Sequence, residues 1–415
     1  MQAIILAAGK SSRFYPLGRG LHKSMVKIAG KPILEHTILS FKKVGIKDFI
    51  IVTANNKDIS SYFLDGKNLG VSIKYAIQKE AIGAGNALLC AKELINGDCL
   101  LLHPAHIDAG DFVQELSDAR KDGGSVLLVE EKEKTWEYGV VKVSNGRAES
   151  LIEKPKKGEE PSKLCVVGIY IFSTDFLDEL EKTPHEHYQL ETAISSFAKK
   201  SNIQIVKVKG ATTFKYSWDL LGVKNYIFKS LKRSISKNAK IAKTATIEGN
   251  VVIEDGATIM DGVKITGPCY VGKNAYVGNN SILRDGADIE EGSVIGAFSE
   301  VKNSIVMSGA KIHSGFFGDS LIGENSRIGA QFCTSNVRLD RKSVKVLLNN
   351  KKVDTGFKSL GFICGGNVKI GIKSTTMPGI IIGENAIIGP STTVLQNVED
   401  NTKYYAKFQE IVIKK

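Results

Sequence analysis

Behind an apolar start the chain reads Leu6-Ala7-Ala8-Gly9-Lys10-Ser11-Ser12-Arg13, with Pro16, Lys23 and Gly30-Lys31-Pro32 following. Small residues directly after a strand let backbone N–H groups approach a triphosphate, and Arg13 and Lys23 supply the charge to hold it, on a loop expected to be largely exposed. The string is neither GxxxxGK(S/T) nor GxGxxG, and a Gly-Lys-Ser turn standing alone is more often just a turn. Farther on, His103-Pro104-Ala105-His106-Ile107-Asp108 gathers two imidazoles and a carboxyl that could recruit a metal, although lone histidines usually serve structure. His313 is the only histidine in the second half, and imidazole is the side chain best suited to accept a proton near neutral pH. A solitary histidine in a repeat is ordinarily inert.

These groups need elements to hold them. Ala3–Leu6, Asp48–Val52, Ser72–Ala76, Cys99–Leu102 and Ser125–Glu130 read as strands, and Ile33–Val44, Asn86–Leu94 and Phe112–Lys121 carry helical periodicity. That alternation implies an α/β fold with a mostly parallel sheet, helices on both faces and ligands at the carboxyl ends of its strands. Glu137–Val143, Ala148–Glu153 and Leu164–Ser173 read as added strands or hairpins, and Asp219–Ser234 as a helical, lysine-rich connector.

From residue 241 the period changes. Ile241, Ile247, Ile253, Ile259, Ile265, Val271, Val277, Leu283, Ile289, Ile295 and Val301 are spaced six apart without a miss. Six residues per flat side and three sides per turn describe a left-handed parallel β-helix built of hexapeptide repeats, a prism expected to be too thin for aromatic side chains. The pattern pauses after Val301 and resumes at Ile322 and Ile328. It breaks again for the charged segment Arg338–Lys358, read as a loop covering a site, and returns at Ile370, Ile382, Ile388 and Val394. The division expected is 1–230 and 231–415. By fold analogy, such coils associate as homotrimers.

Composition bounds the function. The 415 residues carry a net charge of +12, which favours anionic partners. The basic residues are scattered rather than gathered into an aromatic-studded stripe, so phosphorylated small molecules are expected and nucleic acid is not. No apolar run approaches the roughly 18 residues that would cross a membrane. The six cysteines lie far apart with no CxxC pair, which points to neither zinc nor disulfides, and a cytoplasmic location is the expectation.

The loop, together with Gln78, Gly83-Ala84-Gly85-Asn86-Ala87, Gly139, Glu153-Lys154-Pro155, Gly168 and Asp219, resembles the sugar-phosphate nucleotidylyltransferase family over about residues 1–225. The resemblance implies a Rossmann-like domain in which a sugar-1-phosphate oxygen attacks the α-phosphorus of a nucleoside triphosphate, releasing pyrophosphate. The nucleophile is already an anion, so the enzyme's task is alignment and charge neutralisation. By resemblance Ala7, Ala8 and Gly9 hold the nucleotide, Arg13 faces the triphosphate and Lys23 lies near the α-phosphate. Gln78 and Gly83 read the base, Gly139, Glu153 and Lys154 hold the sugar and its phosphate, and Asp219 is a ligand of Mg2+. The chain departs from the family in Ala105, where the other metal-binding Asp is expected, in Val166-Val167 before Gly168, and in His22-Lys23 in place of Pro-Lys.

The segment His313-Ser314-Gly315-Phe316-Phe317-Gly318-Asp319, followed by Asn336, Val353-Asp354-Thr355-Gly356 and Lys358-Ser359-Leu360-Gly361, is similar to the acetyltransferase part of bifunctional UDP-N-acetylglucosamine pyrophosphorylase/glucosamine-1-phosphate acetyltransferases. That similarity implies acetyl-CoA as a second cofactor, His313 as general base, and Asn336 and Lys358 as holders of the sugar phosphate. Phe316 stands where that family has a tyrosine. Three readings follow: a nucleotidyltransferase, with UTP and GlcNAc-1-phosphate favoured, that also acetylates; a transferase with a purely structural β-helix; or a catalytically degenerate nucleotide-sugar-binding regulatory or assembly subunit.

Overall fold

Runs of Ile, Leu and Val buried on both faces recur through the first 210 residues, the pattern of strands in a sheet covered on two sides. The computed structural model describes residues 1–18, 20–120, 123–212, 214–409 and 411–413. It divides into two compact units, one of Met1–Ser11 and Pro32–Thr213, the other of Ser12–Lys31 and Phe214–Lys415. The boundary read from the sequence cuts elsewhere: residues 12–31 and 214–230 group with the C-terminal half.

The first unit is a mixed sheet of β1 (Gln2–Ala7), β2 (Asp48–Thr53), β3 (Ser72–Ile77), β4 (Cys99–Leu102), β5 (Ser125–Glu131), β6 (Gly139–Ser144), β7 (Arg147–Glu153), β8 (Leu164–Phe172) and β9 (Ile203–Val208), in the order β3-β2-β1-β4-β8-β5-β9-β7-β6. β3, β2, β1 and β4 are parallel, as are β5 and β9. β8, expected as an addition, instead runs antiparallel through the middle of the sheet between β4 and β5. Its Ile169, Ile171 and Phe172 are fully buried, so both faces of this strand are covered. β6 and β7 form the expected hairpin.

Helices α1 (Ile33–Lys43), α2 (Asp58–Phe63), α3 (Ala84–Cys90), α4 (Ala109–Ala119), α5 (Thr174–Lys182) and α6 (Gln189–Ala198) flank the strands. In α1, Ile33, Leu34, Thr37, Ile38 and Phe41 recur at helical spacing and are buried together. α4 starts three residues before the expected Phe112, and Lys121 lies outside the described residues. The apolar core includes Ile4, Ile50, Val52, Leu101, Leu127, Val129, Phe172 and Phe176.

In the second unit α7 (Asp219–Lys229) precedes a left-handed parallel β-helix whose short strands stack into three parallel sheets, beginning at Ser234. The partners Ile253–Val271, Ile259–Val277 and Ile265–Leu283 are eighteen residues apart, one turn of three six-residue sides. The coil does not pause after Val301. Val306, Ile312 and Phe317 continue the interior to Ile322, with several sides shortened to five residues. Nor does the prism exclude aromatics: Phe317, Phe332 and Phe362 fill its interior, with Phe317 and Phe332 stacked at 5.3 Å. The charged segment leaves the coil as a hairpin, Lys345–Leu348 against Lys351–Asp354, its base closed by a bridge between Val337 and Ser359.

Candidate active site

In the first unit β1 and β4 run parallel with Ile5 opposite Leu102, so the loops after them share one edge of the sheet. Ala7 ends β1, Ala8 is buried, and Gly9 is exposed with nothing within 4 Å of where a Cβ would stand. That open backbone suits close approach by a phosphate.

Gln78 follows β3 and is buried, its Nε2 donating to Gly83 O at 3.0 Å and to Asn86 Oδ1 at 2.9 Å. With both N–H groups spent, the carbonyl oxygen is the part of this amide left to meet a base. Gly83 has φ +141°, and a Cβ there would lie 2.3 Å from His187 O, so only glycine lets this loop rest against the chain before α6.

Gly139, Glu153 and Lys154 are brought together by the β6–β7 hairpin, in which Gly139 pairs with Glu153. A Cβ on Gly139 would come within 2.8 Å of Glu153 Oε2 and 3.0 Å of Val166 Cγ2. Lys154 Nζ lies 3.1 Å from Glu153 Oε1 and 5.4 Å from the ring centre of Tyr188. Two neighbours of this group escaped the sequence reading, Tyr188 and Glu191. Burial, with the charge of Glu153 adding to it, pushes the Glu191 carboxyl up to about 6. A carboxyl one residue from the buried Leu190 of α6 was the available signal.

Beyond β4, Ala105 is buried. Asp108 is not free to hold a metal, because its two oxygens accept Thr212 N at 2.6 Å and Thr212 Oγ1 at 2.7 Å. Burial nevertheless pushes its carboxyl up. Asp98, at the opposite end of β4, is paired with Arg120 and accepts Thr174 N at 3.1 Å. The rings of His103 and His106 stand 6.4 Å apart, and a Cβ on Gly168 would lie 3.1 Å from His103 Cδ2 and 3.2 Å from His106 Nε2.

Arg13, Lys23 and Asp219 all belong to the second unit. Arg13 is exposed on the turn Ser12–Phe14, whose Phe14 is buried edge-on against Phe214 at 5.2 Å. Lys23 is not exposed as expected. Its Nζ donates to Phe214 O at 2.8 Å and lies 4.9 Å from that ring's centre. Burial brings its ammonium down to about 8, the Asp219 charge opposing the shift. Asp219 Oδ2 accepts Lys215 N at 2.6 Å and Tyr216 N at 2.7 Å, which fixes the start of α7, and burial pushes its carboxyl up. Mg2+ typically takes one or two carboxylates together with substrate phosphates and water. Among the described residues no cluster of three His, Cys, Asp or Glu could cage an ion. A metal shared between Asp219 and triphosphate oxygens fits these donors; an all-protein site does not.

On the β-helix, His313 is exposed, its backbone N–H donating to Ile328 O at 2.9 Å. Asn336 Nδ2 donates to Asp319 Oδ2 at 2.5 Å, and the buried Asp319 also takes Asn303 Nδ2 at 2.7 Å and Lys302 Nζ at 3.2 Å. Lys358 lies apart from that network, lining an open cavity of about 770 Å³ over the hairpin with Arg338, Arg341, Lys342 and Lys352.

Comparison with known proteins matches residues 2–233 to the nucleotidyl transferase family and residues 268–303 to the bacterial transferase hexapeptide, six repeats. The chain is 37% identical over its whole length to a bifunctional protein GlmU of Methanococcus maripaludis, covering all of that relative. It is 32% identical over 96% of its length, and 98% of the relative's, to a bifunctional sugar-1-phosphate nucleotidylyltransferase/acetyltransferase of Sulfurisphaera tokodaii. A crystal structure described as a glucose-1-phosphate thymidylyltransferase from Bacillus anthracis shares the fold of the first half, with a TM-score of 0.50 at 23% identity over 56% of this chain and 97% of that one. Nucleotidyltransferases of the GlmU type generally use a divalent metal. The chain belongs to the nucleotidyl transferase family and continues into a hexapeptide-repeat β-helix.

Proposed function

We propose that the protein joins a sugar-1-phosphate to a nucleoside triphosphate, with UTP and GlcNAc-1-phosphate as substrates and NDP-sugar and pyrophosphate as products. The observation that carries the nucleotide choice is the pinned Gln78 amide. Its carbonyl oxygen is an acceptor, which matches the N3–H of uracil or thymine and not the bare ring nitrogen of cytosine or adenine. The backbone after β1 receives the triphosphate, Gly83 leaves room for the base, and Gly139, Glu153 and Lys154 take the sugar and its phosphate. Arg13 neutralises the triphosphate and Lys23 the transferring α-phosphate, where charge accumulates during displacement. Bound Mg2+, held by Asp219 and phosphate oxygens, would add Lewis-acid neutralisation.

The second activity is acetyl transfer from acetyl-CoA to an amino-sugar phosphate on the β-helix. An ammonium has no lone pair to attack a thioester, so His313 takes its proton, while Asn336 and Lys358 hold the phosphate sugar. The full-length similarity to bifunctional relatives supports this reading, and so does the exposure of His313. The six cysteines are all free thiols, consistent with a cytoplasmic setting. Exposed Phe298, Ile372 and Leu395 on the coil suit a homotrimer. Incubating the protein with a matrix of nucleoside triphosphates and sugar-1-phosphates, with and without Mg2+, and following pyrophosphate tests the first activity. UTP or dTTP should exceed CTP and ATP by at least tenfold; equal rates with all four would remove the role given to Gln78.

A further inference from the structure

We infer that Asp288 and Glu290, two carboxyl groups of the β-helix, are positioning residues that hold the segment carrying Arg13 and Lys23. The inference rests on the proposed role of those two cations in nucleotidyl transfer. The segment 12–31 belongs to the same compact unit as the coil. After the turn Lys23–Met25 the chain forms the short strand Lys27–Ile28 and turns at Ala29 and Gly30, whose φ values are +50° and +76°. At this turn Ala29 N donates to Asp288 Oδ2 at 3.3 Å and Gly30 N to Glu290 Oε1 at 3.0 Å. A Cβ on Gly30 would lie 2.2 Å from the Tyr270 hydroxyl, so the turn is seated directly on the coil. Between the segment and the coil remains a cavity of only about 80 Å³, lined by Met25, Val26 and Lys27 on one side and Glu290, Met307 and Glu324 on the other.

The register of the coil shows that Asp288 is not an ordinary member of its sheet. The stacked positions through Asp288 are Val252, Tyr270, Ile305, Leu321, Ile363 and Ile381, none of them charged. Asp288 interrupts that column on the rung where the Ala29 amide arrives. Both carboxyls are fully buried, which costs free energy unless hydrogen bonds and counter-charges offset it. The available offsets are the two amides, a hydrogen bond shared between the two carboxyls, Lys224 facing Asp288 from α7, and the charge of Lys27, which also pairs with Glu291 at 3.8 Å. Lys224 in turn donates to Gly286 O and to Asn303 Oδ1 at 2.7 Å. A coil needing stability alone would be served by another aliphatic residue; an acid pair serves where two backbone N–H groups must be gripped.

The test uses the full chain. An Asp288→Ala/Glu290→Ala variant and the single Glu290→Ala, which removes the Gly30 bond and keeps the Ala29 bond, are compared with Asp288→Asn/Glu290→Gln, which keeps both acceptors. Hydrogen exchange is followed by mass spectrometry. In the alanine variants, residues 22–31 should exchange at least tenfold faster while residues 294–328 keep their protection. The kcat for pyrophosphate release should fall at least tenfold, with KM for the sugar phosphate unchanged within twofold, and the amide variant should recover most of both losses. Unchanged protection of 22–31, protection lost equally along the coil, or lost protection with kcat intact would each overturn the inference. A wild-type protein that releases no pyrophosphate from any substrate pair would sink the proposed function instead, while the exchange pattern would still decide whether the acid pair grips the segment.

Discussion

Arg13 and Lys23 are both cations on one short segment, yet their surroundings differ. Arg13 is exposed, so Arg13→Ala should lower the rate of pyrophosphate release at least about a hundredfold with little change in melting temperature. Lys23→Ala should lower the rate by a similar factor and also destabilise the protein, because it orphans Phe214 O and opens the space over its ring. Turnover at the wild-type rate in both variants would remove the assigned roles. At the metal, Ala105→Asp returns a carboxylate to the loop after β4 and should tighten Mg2+ binding several-fold, read by calorimetric titration in the presence of a non-hydrolysable triphosphate. Unchanged affinity would leave Asp219 and the phosphates as the whole ligand set. The roles proposed for Arg13 and Lys23 rest on the whole resembling string, since cations beside a small-residue loop are by themselves more often part of an ordinary turn. That Lys23 is half-buried was not legible, since its cover comes from Phe214, almost two hundred residues later.

At the scale of elements, the six-residue period was the strongest signal, because each interior position of a narrow prism admits one kind of side chain. It misled only where sides shorten to five residues, between Val301 and Ile322, and where the interior widens enough for phenylalanine. β8 reads in sequence as an added strand, because local patterning carries no information on which neighbours a strand takes. α5, α6 and β9 were not read at all. A 3.6-residue period over the nine or ten residues of α5 and α6 barely separates from chance, and β9 spans only six residues. The stacked phenylalanines give a direct check on the coil. Phe332→Ala removes a buried ring lying between Phe317 and Phe362, and should cost about 3–5 kcal/mol by denaturant titration of the full chain. A loss below about 1 kcal/mol would mean the interior closes over the gap.

At the scale of the whole molecule, one buried charge cluster, Asp288, Glu290 and Lys224, makes stability depend on pH. Burial raises the Glu290 carboxyl from 4.5 to about 7, and Asp288 is raised by the same cause with the charge of Glu290 added. Between those two values the folded chain keeps a proton that the unfolded chain has lost, so this group's contribution to stability falls as pH rises from about 4.5 to about 7. Lys224 works in the opposite direction. Burial lowers it from 10.5 to about 8, so above about 8 the unfolded chain holds the extra proton and stability from this group recovers. The cluster therefore predicts a shallow minimum in melting temperature between about pH 7 and 8. Glu290→Gln removes that group's share of the first limb and should make the curve below pH 7 shallower by a few degrees, Asp288 retaining its own share. A variant curve parallel to the wild type would show that Glu290 does not titrate in that window.

The two proposed activities also make a prediction at this scale, because their residues fall in different places. His313, Asn336 and Asp319 lie on the coil, whereas Gln78, Gly83, Gly139, Glu153 and Lys154 lie on the sheet-bearing unit, and Arg13, Lys23 and Asp219 lie on segments 12–31 and 214–230 outside the coil. With glucosamine-1-phosphate and acetyl-CoA the protein should release free CoA, and His313→Ala should abolish that release, since no other histidine follows residue 187. The backbone N–H of residue 313 already serves the coil through Ile328 O, and alanine keeps that bond while removing only an exposed ring. His313→Ala should therefore leave the melting temperature within about a degree and pyrophosphate release at the wild-type rate. Asp319→Ala makes a useful contrast. It strips a buried carboxylate from Asn303, Asn336 and Lys302 together, so it should reduce CoA release and stability alike, by about 3–5 kcal/mol for the latter. CoA release that survives in His313→Ala would move the general base elsewhere. No CoA release from the wild type across a panel of amino-sugar phosphates would leave the β-helix with a binding or structural role, and the acid pair that grips residues 29 and 30 would then be its contribution to nucleotidyl transfer.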